Sequence, residues 1–300
     1  MAEPLDILIT GGQGQIGLAL RRLAWPDGVV LHAPDRSVLD LSDSASIGAA
    51  FAGVPYAAVI NAAAYTAVDK AESDRDAAFT VNAAAPGLLA RAAADAGAAM
   101  VQVSTDYVFD GAKCEPYAEG DLTNPLGVYG ASKLAGEQAV LAVHPRAIVL
   151  RTAWVIGPDR ENFLKTMLRL AAERPVLRVV EDQIGCPTSA ADVAETLKTI
   201  TLTQIAGPGR AHGIYHYVNA GETSWAGLAR EILTLSAARG GPAARIAGIL
   251  SADYPTTARR PANSRLATEK IARDFAIRPR PWPDAVAEIV DELFTGRTAA

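Results

Sequence analysis

The stretch ILITGGQGQIG, from Ile7 to Gly17, narrows the fold more than any other part of the chain. A short apolar run gives way to glycines and then to QIGLALRRLA, whose apolar residues recur three and four apart. That order reads as a buried strand, a tight turn and an amphipathic helix. The glycines fit Gly11-x-x-Gly14-x-x-Gly17 and equally Gly12-x-Gly14-x-x-Gly17. Glycine permits the turn, lets the backbone approach a pyrophosphate, and lets helix pack on strand. The helix N-terminus then faces the anion. A glycine pattern alone is a weak signal. Its place between the first strand and the first helix is what gives it weight. The competing reading is a purely structural glycine turn. Dinucleotide binding is the expectation, with Gly11, Gly14, Gln15, Ile16 and Gly17 on the pyrophosphate side.

The alternation continues. VVLHAP, AAVINAA, AMVQVST and RAIVLRTAWV read as four further strands. DSASIGAAFAG reads as a helix capped by Ser42 or Asp43, and DAAFTVNAAAPGLLARAAADAG as one long helix that Pro86 starts or kinks. Apolar strands alternating with helices predict an α/β fold, a doubly wound, Rossmann-like parallel sheet. After about residue 156 the pattern loosens into a mixture of helices, short strands and a Pro/Arg-rich loop from Ser251 to Ser264. The expected division is a dinucleotide-binding domain over 1–156 and a smaller, mainly substrate-binding α/β domain over 157–300. Elements at about 190–219 are expected to return to the first.

Composition excludes several classes. A net charge of -5 and a pI near 5.5 give no electrostatic case for nucleic acid. The longest uncharged run, Ile47–Val68, contains Gly48, Gly53, Pro55 and Asn61, and reads as helix end, turn and strand, not as a membrane span. Nothing at the N-terminus reads as a cleavable signal. Two cysteines, Cys114 and Cys186, supply neither a disulfide framework nor a metal motif, and point to a reducing cytoplasm. His212 and His216 stand four apart, but the β-rich IYHYV context argues against a helical ligand pair.

The strand ends carry the chemistry. Asp35 lies 18 residues beyond Gly17, within reach of an NAD ribose, and Arg36 beside it suits an NADP 2′-phosphate. NADPH and NADH therefore both stay open. Asp40 and Leu41 flank an adenine, or Asp40 is only a turn residue leading into a helix. The small residues Ala63 and Ala64, with Tyr65, end the third strand where a flat ligand approaches; tight packing explains the alanines equally simply. Ser104, Thr105 and Asp106 end the fourth strand, where a hydroxyl is placed to bond a substrate carbonyl. Tyr129 and Lys133 are four apart in YGASKLAGE and share one helical face. A nearby ammonium favours a phenolate, so Lys133 is expected to lower the Tyr129 pKa and ready it for proton transfer. Taken alone, the pair is also what a helix surface commonly shows.

TGGQGQIG, NAAAYTAVDKAE, STDYVFDG, YGASKLAGE, LRTAWVIG and ARRPANSRL together resemble the extended short-chain dehydrogenase/reductase superfamily. More closely, the chain is similar to the dTDP-4-dehydrorhamnose reductase family, from about Ile7 to Phe294. The glycine loop and the Tyr-x-x-x-Lys pair are common to the superfamily; STDYVFDG and ARRPANSRL are more specific. The resemblance implies NAD(P)H-dependent reduction of the C4 keto group of dTDP-4-dehydro-L-rhamnose. Thr105 would bond the keto oxygen and Tyr129 would donate the proton. Lys133 would hold the nicotinamide ribose. Asp106, Trp154, Arg259 and Arg260 would line the sugar-nucleotide side, although Trp154 also reads as a core aromatic and the arginines as a solvated loop. Alternatives are another 4-keto deoxysugar-nucleotide reductase or epimerase, or a non-catalytic NADP-binding regulatory subunit of the methionine adenosyltransferase type. Related dehydratases place an Asp-Glu pair after the threonine; here Asp106 is followed by Tyr107. The resemblance leaves monomer and homodimer open. Some members dimerise through a divalent ion, but no motif supports Mg2+, and Glu288, Asp291 and Glu292 read as a solvated helix face.

Overall fold

A computed structural model describes residues 4–207 and 211–295; the extreme ends of the two expected units, and 208–210 within the returning stretch, lie outside the described residues. Six parallel strands form the main sheet: β1 (Leu5–Thr10), β2 (Val29–His32), β3 (Ala58–Asn61), β4 (Ala99–Thr105), β5 (Ile148–Thr152) and the Gly213–His216 strand. Their spatial order is Gly213–His216, β5, β4, β3, β1, β2. The fold is thus a Rossmann-like α/β sheet. From β1 the chain steps outward to β2, then returns across β1 to β3, so the winding reverses between β1 and β3. Ligands of doubly wound sheets bind at that reversal, beyond the carboxyl ends of the strands.

Both faces are covered, which is why the strands read as continuous apolar runs. On one face Ile7, Ile9, Val101 and Ile148 pack against Val193, Leu197 and Ile200 of the Ala190–Ala206 helix and against helix α1 (Gln15–Arg22). On the other, Leu8, Val59 and Met100 meet Ile47, Leu89 and Val140 from three helices. A separate core joins the helices Phe163–Glu173, Trp225–Ala238 and Trp282–Thr295 to a parallel pair, Val176–Val180 with Arg245–Ile249.

Two expected elements differ. RAIVLRTAWV is not one strand: β5 stops at Thr152, and Trp154 turns left-handed at φ 49° before the short strand Val155–Ile156. The long helix at Asp76–Gly97 is interrupted by a π turn at Thr80–Ala84 between Arg75–Phe79 and Ala85–Asp95. Pro86 has no N–H to close a helical bond onto Asn82, and the turn widens instead. The buried Asn82 side chain then bonds the backbone of Tyr65 at 2.8 and 3.1 Å and Ser132 at 3.0 Å. The loop after β3 is thereby pinned to the Val128–Val143 helix. At Ser44–Ala50 the cap is Asp43, which accepts from the Ala45 amide.

Candidate functional site

The glycine loop closes onto the end of β3. Gly11 has φ 70°, and a Cβ there would stand 2.6 Å from the Ala63 amide nitrogen, so backbone fills the space a side chain would need. At Gly17 a Cβ would collide with the Gly11 carbonyl, so the glycine lets α1 pack closely on the loop; Gly17 lines neither of the cavities that the loop borders. Gly14 is the N-cap of α1 and supplies no side-chain cap, which leaves the opening turn to an outside acceptor. A cavity of about 730 Å³ lies above, lined by Gly11, Gly14, Gln15, Ile16, Ala63 and Ala64. A second, of about 240 Å³, leads on to Asp35, Arg36, Asp40 and Leu41. Asp35 accepts from the Ser37 amide and hydroxyl, and Asp40 likewise from Ser42. These bonds hold both carboxylates below their usual pKa. Tyr65 departs from expectation. Its ring packs by Ala71, Ala78 and Val128, its hydroxyl bonds Asp74 at 3.0 Å, and it lines neither cavity.

The first cavity also receives Thr105, Tyr129 and Lys133. Thr105 ends β4; its hydroxyl donates to Asp106 Oδ1 at 3.0 Å and accepts from the Tyr107 amide at 3.2 Å. Tyr129 and Lys133 stand on the first two turns of Val128–Val143, whose N-terminus is held by Glu72 accepting from the Val128 amide at 2.8 Å. Lys133 Nζ donates to the Val103 carbonyl at 2.7 Å. Helical spacing therefore brings the pair together, and β4 presents Thr105 to it.

The expected electrostatics are overturned. Burial pushes the Tyr129 phenol up to about 12, opposed by the Thr105 hydroxyl, and pushes the Lys133 ammonium down to about 8, opposed by the Glu137 carboxylate. Removal from water penalises the charged form of each, and this outweighs the Thr105 hydrogen bond at Tyr129 and the Glu137 charge at Lys133. Tyr129 is thus a protonated phenol at neutral pH. Asp106 is buried with Oδ2 unpartnered, and burial lifts its pKa to about 6. Among the described residues Thr152 Oγ1 is the other buried side-chain atom without a partner, and both residues line this cavity. Buried polar atoms without partners fit a site built to receive a polar ligand.

On the far side Trp154 stacks on Trp225, centroids 3.5 Å apart and planes 12° off parallel. The Trp225 indole N–H donates to Gln183 at 3.2 Å. Trp225 escaped the sequence reading because it opens an ordinary amphipathic helix; a bulky aromatic directly after the Ser224 cap was the available signal. Arg160 and Glu161, which also line the cavity, carried no signal at all. Arg160 Nε donates to the Gln13 carbonyl at 2.6 Å, tying two loops that are remote in sequence.

Arg259 and Arg260 do not line the cavity that holds the trio. They line an adjoining one of about 820 Å³ with Phe163, Met167 and Tyr254, and Trp225 is common to both. Arg260 gives its fork to Asp69 at 2.6 and 3.1 Å, and Asp69 also accepts from the Ala258 amide at 3.0 Å. Among the described residues no three His, Cys, Asp or Glu gather to hold a metal. Glu288, Asp291 and Glu292 pair with Arg280, Arg239 and Arg22. No described helix is long and apolar enough to cross a membrane.

A family profile described as the RmlD substrate binding domain matches residues 5–295. A dTDP-4-dehydrorhamnose reductase of Sinorhizobium fredii is 42% identical, over 95% of this chain and 97% of its own. The crystal structure of a Clostridium acetobutylicum dTDP-4-dehydrorhamnose reductase superposes with a TM-score of 0.90 at 36% identity, covering 96% of this chain and 99% of that one. A Bacillus anthracis dTDP-4-dehydrorhamnose reductase in complex with NADP gives 0.90 at 31% identity, with the same coverage.

Proposed function

The chain belongs to the dTDP-4-dehydrorhamnose reductase family, and on that premise we propose that it reduces the C4 keto group of dTDP-4-dehydro-L-rhamnose to dTDP-L-rhamnose with NADPH or NADH. The observation that carries the reading is the meeting of Thr105, Tyr129 and Lys133 in the same cavity as the glycine loop. The α1 N-terminus with Gly11, Gly14, Gln15 and Ile16 holds the pyrophosphate, Asp35 and Arg36 face the adenosine ribose, and Lys133 takes the nicotinamide ribose. When bound, the reduced nicotinamide supplies a hydride.

The chain's own residues do the rest. The Thr105 hydroxyl and the Tyr129 phenol bond the keto oxygen, where charge develops as the carbonyl is reduced. Tyr129 then gives its proton to that oxygen. A phenol kept protonated by burial is suited to this, because an alkoxide is a stronger base than the phenolate left behind. The Lys133 cation offsets the new phenolate. Asp106 and Trp154 bound the sugar, and Arg259 and Arg260 meet the diphosphate, for which a guanidinium fork is well shaped. In this reading 1–156 with about 190–219 is the cofactor unit and the remainder mainly the substrate unit. The protein acts in the cytoplasm as a monomer or homodimer; a role for Mg2+ is open, with no sequence motif that supports one.

The test is NADPH and NADH oxidation with a panel of 4-keto deoxysugar nucleotides. Turnover is expected with dTDP-4-dehydro-L-rhamnose, with oxidised cofactor released each cycle. Absence of oxidation with every member of the panel overturns the reading.

A further inference from the structure

The trio is divided between two elements. Thr105 ends β4, whereas Tyr129 and Lys133 ride the Val128–Val143 helix. Catalytic groups need to be held to within about half an ångström, so strand and helix must be fixed to one another. The tie is polar and buried. Glu137, one turn beyond Lys133, accepts from the Ser104 hydroxyl at 2.5 Å and from Arg151 at 2.8 and 2.6 Å. Ser104 adjoins Thr105 and stands opposite Arg151 in the β4–β5 register. Their exposures are 4% for Ser104, 2% for Glu137 and 1% for Arg151. A buried ion pair is a poor way to gain stability, since desolvation cancels most of the attraction. Its value lies in direction: three elements meet at one carboxylate, beside the catalytic edge.

We propose that Glu137 is a positioning residue, which locks the Thr105 edge of β4 to the catalytic helix through Ser104 and Arg151. The inference rests on the reductase reading. The charged and titratable groups around Lys133 and Glu137 are Tyr129 on the same helix, Asp106 after β4, Arg151 on β5 and His216 on the next strand. His216 adds no charge near neutrality, because burial and the Arg151 cation push its pKa down to about 3. Glu137 is the group that opposes the burial of the Lys133 cation.

The experiment is steady-state reduction of the 4-keto sugar nucleotide with NADPH, followed from neutral to alkaline pH. In the wild type the rate should fall as Lys133 loses its proton, near a pKa of about 8. Glu137→Gln should move that limb to lower pH and cut kcat by about 10²-fold, the effect of a small misplacement of reacting groups. Glu137→Asp keeps the charge but not the reach, so its limb should stay while kcat falls. Where Glu137→Gln does not fold, Ser104→Ala severs the strand from the helix without uncovering a charge, and should lower kcat about tenfold by the same misalignment, leaving both KM values in place. A folded Glu137→Gln enzyme with an unmoved limb, or a Ser104→Ala enzyme with wild-type kcat, overturns the proposal. A wild-type chain inactive on the panel instead overturns the reductase reading beneath it.

Discussion

The two ends of the cleft are built by different means. At the cofactor end the shape is made by backbone: Gly11 against Ala63, the open first turn of α1, and aspartates tied to serines two residues on. At the proposed sugar end it is made by side chains from distant parts of the chain: Trp154 on Trp225 and Arg260 on Asp69. The first kind of site is rigid because the sheet is rigid. The second depends on pairings that individual substitutions can undo. Variants should therefore separate the two ends, with the catalytic trio between them sensitive to both.

The largest effect belongs to the middle. Tyr129→Phe keeps the ring but removes the proton, and should cut the single-turnover reduction rate by roughly 10²–10⁴-fold, the range for a general acid. NADPH titration of the same variant should give nearly the wild-type affinity. A wild-type chemical rate would remove Tyr129 from the mechanism.

Next comes the backbone end. Gly11→Val forces a branched side chain onto a φ of 70° and against the Ala63 amide. Strain of about 1–3 kcal/mol corresponds to a weakening of NADPH binding by roughly fivefold to 150-fold, read by fluorescence titration. KM for the sugar nucleotide should change little. If both ligands weaken equally, the two ends are not independent.

The sugar end should respond more mildly. Arg260→Ala should raise KM for the sugar nucleotide about tenfold, the cost of one charge-assisted contact, and leave NADPH affinity alone. Asp69→Asn removes the partner of Arg260. Since this pair is partly exposed, the loss in chemical denaturation should be no more than about 1 kcal/mol. A large loss of stability would mean that the Asp69–Arg260 contact holds the two units together, and does not simply shape the cavity.

A last comparison uses pH alone, through the slope of stability. The His216 pKa lies at about 3, depressed from 6.5 by burial and by Arg151. Between those values the unfolded chain binds a proton there and the folded one does not, so stability drops as pH falls through that window. Asp106, raised to about 6, has the opposite sign and loses stability as pH rises from about 4 to 6, which flattens the net curve. His216→Asn should therefore lose less stability on acidification than the wild type, as measured by urea denaturation along a pH series. An equal slope would assign the acid sensitivity elsewhere.

The sequence by itself determined whatever depends on neighbours along the chain. Apolar runs between glycine turns specified a doubly wound sheet, and the glycine spacing specified the phosphate-side turn. The i, i+4 spacing of Tyr129 and Lys133 put them on one helical face, and the strand-end position of Thr105 aimed it at the same edge. Only the tertiary structure decided the rest. It bent the chain at Trp154 so that its indole meets Trp225, turned Tyr65 away toward Asp74, and moved the arginines into the adjoining cavity with Arg260 on Asp69. It also reversed the expected Tyr129 pKa shift. The physical reason is shared. Turn geometry and helical phase are local, carried by φ, ψ and periodicity, whereas burial and long-range pairing arise from how the whole chain excludes water, and desolvation of Tyr129 and Lys133 appears only once the elements around them have closed.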